Sequence, residues 1–401
     1  MLFHLKLLLT SKIITAVGGD ILTFSMLLFL VDMTGSAATI GIVLFISQLP
    51  PILIAPFAGV LSDRLDKKRL IVLFDVLKAL SDFAFFFLLL TGAYTLVTIA
   101  LLRTFKVIAN MFAGNVFSAA VPLVAGKEGL IAANGYLTSI QAVGLIAGSA
   151  SGALLYDAIG ILPVALASGF LFLLSAAISS FIQIPPVKQA PAPNMLRTVQ
   201  RDLKESFFFL KKEKPLVMKL ALISAVMSMI YPAIFQIALP FIVTVNFGES
   251  AALPSGVSAI GILVGGMAAK RLRRYLTASY IPMWMFILGA VSLPSAFVFL
   301  APFTELPGRF GIFVLGLTLL AFFFALRKIS THSFIQQEIP AHLLGKVNAL
   351  LNIFVLVATP IGVLLTGLLI EAIPLSAYFF GIIAITWLMG YLCQRLLKFS
   401  A

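Results

Sequence analysis

The sequence predicts an all-α membrane protein of twelve transmembrane helices in two six-helix bundles, and three observations carry that prediction. The 401 residues are 61% hydrophobic and 11% charged, with 36 phenylalanines, far more apolar side chain than a soluble interior can take up. Apolar runs of about 20 residues, the length a helix needs to cross a hydrocarbon core of ~30 Å, recur along the whole chain. The runs also divide into two similar halves around one long polar stretch, a six-plus-six arrangement typical of secondary transporters. Because each run is continuously apolar rather than alternating over about 10 residues, helices are expected and a barrel is not.

In chain order, the first six spans are Leu8 to Val31, Ala37 to Leu61, Leu70 to Leu90, Thr95 to Pro122, Asn134 to Tyr156 and Ile161 to Ile184. The first run is long, and no small-residue cleavage site follows it, so it reads as a span rather than a signal peptide. The polar stretch then opens proline-rich, "PPVKQAPAP", and continues as "NMLRTVQRDLKESFFFLKKEKP". There Leu196, Val199, Leu203, Phe207 and Leu210 recur at spacings of three and four, with Arg197, Arg201, Lys204, Lys211 and Lys212 on other faces. That pattern predicts an amphipathic helix lying on the lipid surface as a linker between the bundles. The last six spans are Leu216 to Val245, Pro254 to Ala269, Tyr280 to Leu300, Phe310 to Leu326, Val347 to Ile370 and Leu375 to Leu397. The expected domains are therefore 1–184, a cytoplasmic linker at 185–214, and 215–401. Internal likeness supports the division: "GVLSDRLDKKR" follows the second span and "GGMAAKRLRRY" the eighth, while Asn134 before the fifth span matches Asn348 before the eleventh.

The formal net charge is +13. All Lys and Arg except Lys78, Arg103, Lys106 and Arg309 fall at the termini, in the loops after even-numbered spans, or at adjacent span ends. By the positive-inside rule that face is cytoplasmic, and so are both termini. Insertion topology and anionic inner-leaflet lipid account for the surplus, and no nucleic-acid partner is needed. A lone Cys393 excludes an internal disulfide, and His4, His332 and His342 lack metal-ligand spacing, so neither metal nor cofactor is expected. No G-x-x-x-x-G-K-[ST] run is present, and no nucleophile, base and orienting group converge, so neither a self-contained ATP-driven pump nor an enzyme is expected.

The densest charge lies in "GVLSDRLDKKR". A tight loop of this kind can set a carboxylate against the positive N-terminal end of a neighbouring helix, worth ~0.3 to 1 kcal/mol when exposed. It resembles the G-x-L-a-D-r-x-G-r-k motif of the major facilitator superfamily, matched by Gly59, Leu61, Asp63, Arg64, Lys67 and Lys68, with Asp66 in place of the second glycine. "GGD", "DMTGSAATIG", "FDVLKAL", "LRTF" and "AANGYLTSIQAVGLIAGSASGALL" are similar to segments of its macrolide-efflux-type bacterial drug exporters. The lysophospholipid transporters have a similar first and fifth span. The resemblance implies the major facilitator fold and makes Gly59, Asp63, Arg64, Lys67 and Lys68 a cytoplasmic gate that latches the halves. The alternative is a stop-transfer run that only fixes topology.

Charges within the spans cost at least ~2.5 kcal/mol each on insertion scales, so retained ones are candidates for function. Asp20 lies twelve residues into the first span, roughly 18 Å deep at 1.5 Å per residue. Asp75, Lys78 and Asp82 share one face of the third span, and Arg103, Lys106 and Asn110 repeat that spacing on the fourth. The superfamily lines its central cavity with the first, fourth, seventh and tenth spans, which implies cavity positions for Asp20, Arg103, Lys106 and Asn110, with Tyr231 and Gln236 from the second half. Asp20 is the expected protonation site, with Asp75 as a second candidate, Arg103 as Asp20's partner or a substrate contact, and Lys78 and Asp82 as a supporting charge network. Pairing of the three acids with the three bases as purely structural bridges is the alternative. On the fifth span Gly144, Gly148 and Gly152 form a small-residue stripe suited to close helix packing. Antiporters of the superfamily carry G-x-x-x-G-P-x-x-G-G there, from which Ser149 and Ala153 depart.

The expected function is export of an amphipathic, drug-like small molecule by alternating access, with protons as coupling ion, by a multi-pass monomer in the plasma membrane. Flipping or uptake of a lysophospholipid or other amphiphile without proton coupling is the alternative. A non-transporting sensor or scaffold is a third possibility, marked by loss of the cavity charges, which are present.

Overall fold

Polar punctuation sets the helix limits. The computed structural model describes residues 2–64, 66–184, 195–248, 250–300, 303, 308–340 and 343–398. The first helices are α1 (Leu2–Thr34), α2 (Ala37–Arg64), α3 (Lys67–Thr91), α4 (Leu96–Ile159) and α5 (Ile161–Ser180). Asp66 is the N-cap of α3, its carboxylate accepting the Arg69 backbone N–H at 3.1 Å. The residue that departs from the superfamily motif thus starts a helix whose first turn is otherwise basic, where an N-cap aspartate is worth about 1 kcal/mol. Thr95 and Thr98 form a reciprocal capping box at the head of α4. Gly92, at φ +68°, ends α3 in the left-handed conformation that side chains disfavour.

Where two spans were expected, at Thr95–Pro122 and Asn134–Tyr156, α4 is one helical run of 64 residues. Drawn straight it would measure about 96 Å, three times a bilayer core. Yet Arg103 on its first leg and Gly144 and Gly148 on its second all lie at Asp20. The run therefore folds back on itself, and its legs are the fourth and fifth spans.

The linker helix α6 (Met195–Lys212) forms as the periodicity predicts. One face of it docks on protein, where Leu210 is fully buried in a cluster with Val217, Ile335, Ile339, Val347 and Leu350, and Leu203 packs against it. Burying a leucine is worth about 1.5–3 kcal/mol, enough to hold one face of a short helix on protein. Lys346 reinforces the docking with an ion pair to Glu205 at 3.1 Å.

The second half contains α7 (Pro215–Ala233), α8 (Leu239–Ile242), α9 (Ala252–Arg271), α10 (Ile281–Val291), α11 (Leu293–Phe297), α12 (Arg309–Glu338), α13 (Leu344–Ala372) and α14 (Leu375–Lys398). Instead of one uniform seventh span, π-helical segments at Ile234–Ala238 and Val243–Phe247 flank α8. Pro232 and Pro240 lie beside them, and the missing N–H and ring clash of a proline favour such local widening. The ninth span is likewise divided at Ser292, just before Pro294. The tenth runs to Glu338 rather than stopping at Leu326, which carries Arg327 into its interior.

Among the described residues nine helices are long and apolar enough to cross a membrane, and Pro254–Ala269 is a shorter apolar helix. With α3, whose charges set it apart, and the second leg of α4, this is consistent with twelve spans. Packing separates two compact units, one of residues 1–34 and 43–198, the other of 35–42 and 199–401. In the first, α1 packs on α4 and α5, and α3 on α4 and α5. In the second, α9 packs on α12, α7 on α13 and α10 on α14. Leu53, Leu101, Phe170 and Met267 are exposed, which suits lipid as the solvent.

Candidate functional site

The charged residues of the first unit meet around α3. Asp75 and Lys78 form an ion pair at 2.7 Å, both almost fully buried. Ser175 of α5 donates to the other Asp75 oxygen at 2.7 Å. One turn farther along, Lys106 of α4 grips both oxygens of Asp82, at 2.7 and 3.0 Å, and Ser168 of α5 donates to Asp82 at 2.6 Å. Between the two pairs stands the Phe172 ring, its centroid 4.6 Å from the Lys78 ammonium and 5.1 Å from that of Lys106. A ring face attracts such cations through its quadrupole. Each buried charge thus has an opposite charge and a further donor or ring, the condition under which burying ions is tolerable.

Three charges are left over: Asp20, Arg103 and Lys12, whose ammonium lies 5.4 Å from the Phe117 ring centroid. Among the described residues Asp20 forms no ion pair or hydrogen bond through its carboxylate, and Arg103 forms no ion pair, donating from Nε to Ser47 Oγ at 3.2 Å. Both line a cavity of roughly 180 Å³ within the first unit, together with Thr23 and Met26 of α1, Ser81, Asp82 and Phe85 of α3, and Lys106 and Asn110 of α4. Its wall behind Asp20 is the glycine stripe. A Cβ on Gly148 would collide with the Asp20 Cβ and lie 3.0 Å from its backbone carbonyl carbon, and one on Gly144 would lie 2.8 Å from Asp20 Oδ2. The stripe therefore lets α1 and the second leg of α4 touch along their backbones at the depth of the unpaired carboxylate. Ser25 adds a hydrogen bond to the Gly152 carbonyl at 2.7 Å.

The structure therefore brings Asp20, Arg103, Lys106 and Asn110 together at one cavity, and binds Lys106 to Asp82. Asp75 and Lys78 are sealed away from it. Arg103 does not pair with Asp20. In the second unit Tyr231, expected at the cavity, is instead fully enclosed, because its hydroxyl meets Thr386 Oγ1 at 2.9 Å and its ring lies 5.1 Å from that of Phe324. Gln236 is half-buried in the first π-helical segment. Of the loop motif, Lys67 is buried and Lys68 half-buried in the first turn of α3, while Gly59, Asp63 and Arg64 lie outside the residues whose surroundings are described.

Sequence reasoning missed Ser168, Phe172 and Ser175, whose spacing on one face of α5 was the available signal. It also missed Arg327, which is 2% exposed, has Nε and Nη1 without hydrogen-bond partners, and stacks 5.3 Å from the Phe324 ring. The second unit thus holds a buried cation where hydropathy had suggested none.

Comparison with known proteins places this arrangement. The model of the Major Facilitator Superfamily matches residues 8–363. Macrolide efflux protein A of Streptococcus pyogenes is 23% identical over 387 residues, covering 92% of this chain and 90% of that protein. Among solved structures, the nucleoside transporter NupG superposes with a TM-score of 0.76 at 13% identity, over 99% of this chain and 100% of its own. A bacterial homologue of the iron transporter ferroportin in an inward-facing state does so with a TM-score of 0.71 at 16% identity, over 100% of this chain and 99% of its own. These structural likenesses concern the fold.

Proposed function

The chain belongs to the Major Facilitator Superfamily, a transporter rather than an enzyme, and from that premise we propose that it exports an amphipathic small molecule by alternating access, driven by protons exchanged at Asp20. The observation that carries this reading is the state of Asp20. The other two acids deep in the first unit are each closed by a lysine and a serine, whereas Asp20 faces a cavity with no partner of its own. A carboxylate so placed binds a proton when its surroundings are dry and releases it when water reaches it, the property a proton-coupled carrier needs. Arg103 is the substrate contact across the cavity. The efflux relative supports a drug-like cargo and export across the plasma membrane, and the distribution of Lys and Arg supports cytoplasmic termini. Asp63 and Arg64 are the cytoplasmic latch, with Lys67 and Lys68 beside them. The monomer is the working unit.

The test is transport in proteoliposomes with an imposed pH gradient, across macrolides and other amphipathic drugs. Asp20→Asn should abolish gradient-driven export while leaving the protein folded. Full, still proton-coupled export by that variant would overturn the assignment. A second reading, gradient-independent movement of a lysophospholipid-like amphiphile, is favoured by the unpaired Arg103 cation and would be recognised by lysolipid transfer that ignores the gradient.

A further inference from the structure

Lys106, expected at the cavity, is neutralised there by Asp82, and Lys78 by Asp75. What remains facing the cavity is one carboxylate, Asp20, and one guanidinium, Arg103. We propose that this cavity is a head-group subsite for a zwitterion, with the cationic end of the ligand at Asp20 and its anionic end at Arg103. The proposal rests on the transporter reading and names the substrate class it serves.

Geometry supports both ends. Arg103 spends Nε on Ser47, and its two Nη groups make no hydrogen bond among the described residues. That leaves the end-on edge of the guanidinium, which can hold a phosphate or carboxylate through two parallel bonds. Asp20 packs Oδ2 toward Gly144 and lines the cavity, so its carboxylate can face an ammonium there. The Thr23 hydroxyl donates to the Gly19 carbonyl at 2.7 Å, so it presents only acceptor lone pairs to the cavity, on the side of Asp20. A cation alone would meet Arg103 as a like charge, and an anion alone would meet Asp20. A zwitterion meets an opposite charge at each end.

Size points the same way. Sites that enclose a whole drug-sized ligand measure about 300–1,000 Å³, whereas this cavity measures roughly 180 Å³. It holds a head group, and the apolar remainder of an amphiphile lies outside it.

The experiment is equilibrium binding to the full chain in nanodiscs, without any gradient, of four hexyl compounds below their micelle concentrations: hexylphosphocholine, hexyltrimethylammonium, hexyl phosphate and hexyl glucoside. Hexylphosphocholine should bind the wild type tightest. Arg103→Gln should move the preference toward hexyltrimethylammonium, and Asp20→Asn toward hexyl phosphate, each by about tenfold or more, as expected for losing one charged contact. Because the readout is a ratio between ligands in one sample, partial misfolding cancels. Phosphocholine without a tail separates the sources: equal affinity assigns a soluble zwitterion, and a clear gain from the hexyl chain assigns an amphiphile. Wild-type binding of a singly charged compound as tight as that of hexylphosphocholine would overturn the subsite, as would variants that weaken all four compounds equally. Hexyl phosphate binding that strengthens as a proton is taken up would also overturn it, by assigning an anion instead. Any of these results could coexist with proton-coupled export, so they would leave the proposed function standing.

Discussion

Replacing Lys106 by Gln should destabilise the protein by about 3–5 kcal/mol, the range for stranding one member of a buried pair. The magnitude follows from the site. The Asp82 side chain is 2% exposed and that of Lys106 11%, with their atoms 2.7 Å apart. Unit charges about 4 Å apart in a medium of effective dielectric ~20 attract by about 4 kcal/mol, and after the substitution Asp82 retains only the Ser168 hydroxyl. Asp82→Asn should cost a similar amount. The double variant should be less damaged than the sum of the two by about 2 kcal/mol or more, since no charge is then left alone. Reversible denaturant unfolding in mixed micelles, monitored by helix signal, measures all four corners of this cycle. Additivity within about 0.5 kcal/mol would refute the reasoning. It would mean that the lysine is not committed to Asp82, and that its charge is free for cargo.

Three further outcomes follow from the packing. Gly148→Ala should destabilise by about 1–3 kcal/mol, the usual range for an overfilled contact, and slow export. Gly144→Ala should cost less stability, because the atom it meets first is the tip of the Asp20 side chain rather than its base; comparing melting midpoints and export rates of the two checks this. Arg327→Met should raise stability by about 1–3 kcal/mol, because two unsatisfied buried donors disappear while the stem volume is kept; a melting midpoint at or below that of the wild type would contradict it. Leu210→Ser should undock α6, seen as faster tryptic cleavage at Arg201 and Lys204, with the transmembrane helices left intact.

Much of this architecture was readable before any coordinates, because lipid imposes a strong rule: continuous apolar runs must become helices. The shared face of Asp75, Lys78 and Asp82 was equally plain, being a matter of spacing within one helix. Pairing between helices was not. Nothing in a chain states which face of the third span meets the fourth, so the sequence does not show that Lys106 is committed to Asp82. The tenth span was cut short for a related reason: Arg327 and Lys328 open a polar run, "RKISTHSFIQQE", that reads as a cytoplasmic end, yet the helix continues and buries the first of them. The two legs of α4 were legible as separate spans, but not the helical run that joins them, because Pro122, Gly126 and Gly129 lie between them and are poor helix formers.

The Phe172 ring, touched by two ammonium groups, seats both ion pairs on one aromatic side chain. Its apolar body stands beside two like charges, each restrained by its own carboxylate. A change at this one position would therefore reach both pairs together, a shared dependence that neither ion pair reveals alone.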